Sequence, residues 1–213
     1  SGQNVTGSWN LAYGSCSGST VAGNQNQACG DSEGKNVTGD SNASIGSFAG
    51  QTVNGSKNVA FGPTAGNNVT GNDNISIGSF AGDNVTASQT TSIGTSSKAS
   101  ANDAIAIGSS AQASGVSSIS IGTGNVVSGA NSGAFGDPTT ITGTGTYSVG
   151  NNNGTIAANN SGVFGNDNTI TGALDGVRVI GNTNTVSANG AMVMGNSATV
   201  SAANGVALGS NTS

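Results

Sequence analysis

The chain has 213 residues, of which 33% are apolar, 4% aromatic and 6% charged, with 37 glycines and a net charge of -5. So few apolar residues exclude an ordinary globular core, and so low a charge excludes disorder driven by self-repulsion, which leaves a repetitive fold whose core is one residue thick. The four basic residues, Lys35, Lys57, Lys98 and Arg178, cannot neutralise a phosphate backbone, so nucleic acid is excluded as a partner.

Along the chain one short phrase recurs: LAYG ending at Gly14, ASIG at Gly46, VAFG at Gly62, ISIG at Gly78, TSIG at Gly94, IAIG at Gly108, YSVG at Gly150, MVMG at Gly195 and VALG at Gly209. Fourteen glycines keep this register, at intervals of 16 residues from Gly14 to Gly94, 14 to Gly150, and then 15, 16, 14 and 14. The residue before each glycine is always apolar, as is a second residue about nine positions upstream, such as Val53 and Val69. Each repeat thus carries two short β-branched segments separated by Gly and Asn turns, too short for helices. The expected fold is all-β: a parallel β-roll of about 14 coils of 14–16 residues, one strand of each coil stacking on its equivalent in the next.

In the first five intervals the extra two residues fall in one loop of the form GxxxG, at 14–18, 30–34, 46–50, 62–66 and 78–82. These loops form a ridge in which Phe48 and Phe80 are either binding aromatics or plugs against a neighbouring subunit, the plug being favoured. The other irregularity is a longer stretch between Ile170 and Gly181, containing Asp175 and Arg178.

Side chains alternate along a strand, so the two residues before each glycine face opposite ways. The always-apolar row is assigned to the core, giving Ile45, Phe61, Ile77, Ile107 and Ile121, with Val53 and Val69 from the second strand. The row two before the glycine is always small, as in Ala60, Ser76, Ala106, Ser120, Ala134, Val193 and Ala207, and is assigned to an outer face that packs closely on another rod. Cys16 and Cys29 fall in successive coils of a chain that looks extracellular, and form a candidate disulfide; two buried thiols are the alternative.

Asn58-Val59-Ala60-Phe61-Gly62, Asn74-Ile75-Ser76-Ile77-Gly78-Ser79 and Val206-Ala207-Leu208-Gly209-Ser210 resemble the N-S-V-A-I-G-x-x-S repeat of the YadA-like heads of trimeric autotransporter adhesins. The resemblance covers nearly all of residues 1–213, read as a single head domain cut from a longer chain. It implies a left-handed roll, a homotrimer, and display on the outer surface of Gram-negative bacteria, anchored in the outer membrane by a segment absent here; the small, uncharged row is the face expected toward the three-fold axis. It also implies extracellular-matrix proteins or host cell-surface receptors as partners. The chain departs from the family phrase three residues before the glycine, where Gln27, Ala43, Thr91, Gly133, Gly162 and Arg178 replace the usual apolar residue.

The sequence has no histidine, which removes Ser/His/Asp and Cys/His nucleophilic sites and His-based zinc sites. No phosphate-binding glycine motif and no calcium-binding nine-residue period is present, so neither enzymatic activity nor a cofactor is expected. No run approaches the roughly 18 apolar residues of a membrane span, so no direct membrane insertion by this segment is expected. An ice-binding or other structural solenoid is the alternative function. It requires a regular array of identical threonines, whereas the outward positions of the second strand read as a mixture of Asn, Thr, Ser, Gln and Lys.

Overall fold

The computed structural model describes residues Ser1–Ser213 and contains β-strands of two or three residues and no helix. The chain divides into two compact units, Ser1–Ser110 and Ala111–Ser213. Each is a parallel β-solenoid.

In the first unit the three-residue strands Leu11–Tyr13, Gln27–Cys29, Ala43–Ile45, Val59–Phe61, Ile75–Ile77, Thr91–Ile93 and Ile105–Ile107 stack in parallel, with equivalent residues paired. The phrase before each glycine therefore becomes one strand of every coil. Val21–Ala22, Val37–Thr38, Val53–Asn54 and Val69–Thr70 stack on the opposite side. In the second unit one sheet runs from Ile119–Ile121 through Gly133–Phe135, Tyr147–Val149, Gly162–Phe164, Arg178–Ile180 and Met192–Met194 to Val206–Leu208. Short strands including Thr139–Ile141, Gly154–Ile156, Thr169–Ile170, Thr185–Val186 and Thr199–Val200 form the other side.

The alternation of faces is as expected, but its polarity on the three-residue strands is the reverse. Ala60, Ser76, Ala106, Ser120, Ala134, Val193 and Ala207 lie inside the roll, all buried. Ile45, Phe61 and Ile77 are exposed on the outer face, and Ile107 and Ile121 are half-buried there. Val53 and Val69 are buried as expected. The cause is the narrowness of the roll. The closing glycine of each long loop lies directly on the small residue: a Cβ added at Gly50 would stand 2.7 Å from the Ser44 Cβ, and one at Gly66 would stand 2.9 Å from the Ala60 Cβ. The second-strand valines stand opposite, so the larger residue of each phrase is placed on the outer face. The repeat-ending glycines have a related reason. Gly78 adopts φ +122 and stacks on the backbone of Gly94, where a Cβ would come within 2.8 Å of the carbonyl group.

Much of the remaining interior is polar and most of it is paired, the exceptions including Ser118 Oγ and Thr139 Oγ1. In the first unit Asn26, Asn42 and Asn58 form a buried ladder: the backbone N–H and the Nδ2 of Asn42 both donate to Asn26 Oδ1 at 3.0 Å, and Asn58 repeats this on Asn42. The Nδ2 groups also donate to the carbonyls of Gly39, Gly55 and Gly71. Asn153, Asn168 and Asn184 build the same ladder in the second unit. Each rung satisfies amide groups that the turn removes from the β-ladders, as buried polar groups require.

The two units differ in how tightly they are filled. The 16-residue coils of the first leave a cavity of about 380 Å³ lined by Val21, Val37, Val53, Ala28 and Ala60 among others. In the second unit Ile141, Ile156, Val163, Val179 and Val186 are wholly buried. Ala60→Val is accordingly expected to change the melting temperature little. Ala134→Val, packed on Val127 and Ile141, should lower stability by about 1–3 kcal/mol through overpacking. Thermal melts of the two variants check the difference.

Candidate interaction surfaces

The reversed polarity creates the most conspicuous surface of the molecule. Because the strands pair in register, the residues before the glycines form a continuous outer column in each unit. In the first unit it runs Tyr13, Cys29, Ile45, Phe61, Ile77, Ile93, Ile107, and in the second Ile121, Phe135, Val149, Phe164, Ile180, Met194, Leu208. Phe61 is 49% exposed, Ile180 51% and Leu208 64%. The residues three before the glycine share this face, adding Leu11, Val59, Ile75, Ile105, Ile119, Met192 and Val206. The polar and small departures from the repeat therefore thin an outer surface and leave the core untouched. Arg178, the single charged side chain in the second unit's face, folds to its edge, where Nη1 donates to the carbonyls of Asn160 at 2.6 Å and Val177 at 2.9 Å.

The long loops of the first unit form a second surface. Phe48 and Phe80 stand at their tips with φ 61 and 57, 47% and 52% exposed in the single chain. The candidate disulfide does not form: both thiols are free and exposed. Its premise was a core position for Cys29, but Cys29 points outward from the sheet between Tyr13 and Ile45, while Cys16 occupies a left-handed loop position.

The same loops bury one acid. Glu33 takes the slot that Ser17, Ala49, Ala65 and Ala81 fill in neighbouring coils, and neither carboxylate oxygen has a hydrogen-bond partner. Burial pushes its carboxyl up from 4.5 to about 7, the negative charge of Asp31 adding to the rise while backbone groups of Gly46 and Cys29 oppose it. Composition alone did not single out this residue; the signal available was its place in a column otherwise made of Ser and Ala.

No group of three or more His, Cys, Asp or Glu side chains is placed to hold a metal ion. No family model matches the chain, and no curated protein matches it significantly.

A folded-state pKa above the unfolded one means that the folded state holds the Glu33 proton more tightly. Its contribution to stability is complete below pH 4.5 and is lost as pH rises through about 7. Glu33→Gln should therefore melt higher than the parent at pH 8, by roughly 3 kcal/mol of stability at most, and match it near pH 4. Melts across this range test the sign.

Proposed function

We propose that this chain is the head of a bacterial surface adhesin, a binding module without catalytic activity that attaches the cell to host extracellular matrix or cell-surface receptors. The observation that carries the reading is the exposed apolar column on the three-residue-strand sheet of each unit. Soluble monomers rarely leave a contiguous apolar surface of this kind bare, and association covers it. The NVAFG and NISIG phrases that resemble the YadA-like repeat supply the number three. In a homotrimer each chain turns this face to the three-fold axis, so that Ile45, Phe61, Ile77, Phe164 and Ile180 meet their equivalents in a shared core. The small residues Ala60 to Ala207 stay inside each roll. The loop ridge of the first unit and the short-strand sheets of both units face outward and are available to receptors. In this reading the chain stands on the outer surface of a Gram-negative cell, held by segments outside residues 1–213.

The absence of charge from most of the face agrees with burial at such an axis. A charge introduced there, Ile180→Arg, brings three guanidinium groups into a poorly solvated space and should reduce a trimer to monomers at micromolar concentration while leaving the β-type circular dichroism unchanged. Ala106→Arg should instead unfold its coil, since Ala106 is wholly buried within the roll. Sedimentation of the two variants separates these effects. Solid-phase binding of the wild-type assembly to collagens, fibronectin, laminin and glycans tests adhesion itself: saturable binding to at least one is expected, and binding to none argues against the adhesin reading.

A further inference from the structure

The outward side of the short-strand sheet in the second unit carries one residue type on five coils. Thr140, Thr155, Thr169, Thr185 and Thr199 immediately precede the inward Ile141, Ile156, Ile170, Val186 and Val200, all of which are buried. Register places Thr140 beside Thr155, and Thr169 beside Thr185 beside Thr199. The strands Gly154–Ile156 and Thr169–Ile170 lie side by side without ladder pairing, so the column has one interruption. Thr140 is half-buried and the other four are exposed. Just past the end of each strand runs a second column, Thr142, Ala157, Thr171, Ser187 and Ser201, of which all but Ala157 are exposed. Neither column contains a charge. The mixed outward composition expected from the sequence comes from the first unit, where Asn4, Thr20, Asn36, Thr52, Asn68 and Asn84 hold the equivalent place in left-handed conformations, and from Gln112 and Val126, which precede Thr140 in the second unit's column.

Three physical properties follow for the second unit. Stacked strands repeat about every 4.8 Å and residues two apart in extended chain lie about 6.6 Å apart, so the outward side chains form a two-dimensional grid, threonine throughout the first column and Thr, Ser or Ala in the second. A β-branched threonine in extended backbone has a restricted χ1, so its hydroxyl and methyl are presented the same way on each coil. A neutral face of alternating methyl and hydroxyl groups can hold water in a fixed pattern, whereas a charge would draw water into its own shell and break the pattern. The grid spacing is close to that of oxygen atoms on the surfaces of hexagonal ice.

We infer that this face binds crystalline water: the Thr140 to Thr199 column with its Thr142 to Ser201 neighbour is an ice-binding surface. The occupant is a lattice because the recognition elements repeat along the coil axis with no pocket and no unique polar group to select a discrete ligand. The face lies on the opposite side of the roll from the apolar column, so occupation of one does not require the other, and the inference stands independently of the trimer.

Partition of the purified full chain into slowly growing ice, together with thermal hysteresis by microscopy, tests the inference. The chain should enrich severalfold in ice over an inert globular protein and shape the crystals. The double variant Thr169→Tyr/Thr185→Tyr, with unchanged circular dichroism, should lose most of the hysteresis. Val116→Tyr, the same kind of substitution at an exposed turn position outside the two columns, should keep it. Should the double variant fold poorly, Thr199→Lys replaces bulk by charge, and is also expected to lose activity. Exclusion of the wild-type chain from ice, full hysteresis in the folded array variants, or retention on crystalline cellulose or chitin without partition into ice would each overturn the assignment.

Discussion

The width of the roll is the constraint on which the other features depend. Two sheets separated by one valine or isoleucine and one alanine, serine or valine leave no room for a phenylalanine at the second position, and the glycines of the long loops press on Ser44 and Ala60. Each strand that ends just before a register glycine must therefore turn its smaller residue inward and its larger one outward. A fold that minimises its own interior in this way places on the surface the apolar side chains that a globular protein would bury. The outer column from Tyr13 to Ile107, and its counterpart from Ile121 to Leu208, is the direct result.

What the interior lacks in apolar volume it makes up in hydrogen bonds. The Asn26–Asn42–Asn58 ladder and its Asn153–Asn168–Asn184 counterpart link coil to coil through both backbone and side-chain donors. An outer ladder does the same at the turns: the Asn24 N–H donates to Asp40 Oδ1, that of Asp40 to Ser56 Oγ, and that of Ser56 to Asn72 Oδ1. Rungs of this kind are cooperative and tolerate few exceptions, since a missing acceptor strands a buried donor. Glu33 is an exception of another sort, an acid in an alanine slot, and its burial couples the stability of the long loops to pH.

Much of this was legible in the sequence. The glycine register marks the strand that precedes each register glycine, and Val53 and Val69 lie inside as expected. In so narrow a roll an invariantly apolar position is not a buried one. Ala60, Ser76, Ala106 and Ser120 are the confined positions, and the signal of confinement was their smallness; the apolar invariance of Ile45, Phe61 and Ile77 belongs to an outer face. Cys29 was misplaced for the same reason, and the candidate bridge to Cys16 failed with it. The threonine column was hidden because the outward residues were read across both units together, whereas the left-handed Asn and Thr positions of the first unit and the extended threonines of the second are conformationally distinct.

Cys29 sits in the outer column, and Cys16 lies on a loop away from it, so the two thiols report on the central claim that copies of the chain cover the apolar face. The measurement is the rate of maleimide labelling of each thiol in the native protein across a dilution series. The account predicts fast labelling of Cys16 throughout, with Cys29 protected at micromolar concentration and reacting as fast as Cys16 once the chains separate. Equal labelling at every concentration would mean that the face is bare, and protection of Cys29 that persists in the separated chain would mean that it lies inside the roll; either result contradicts the account.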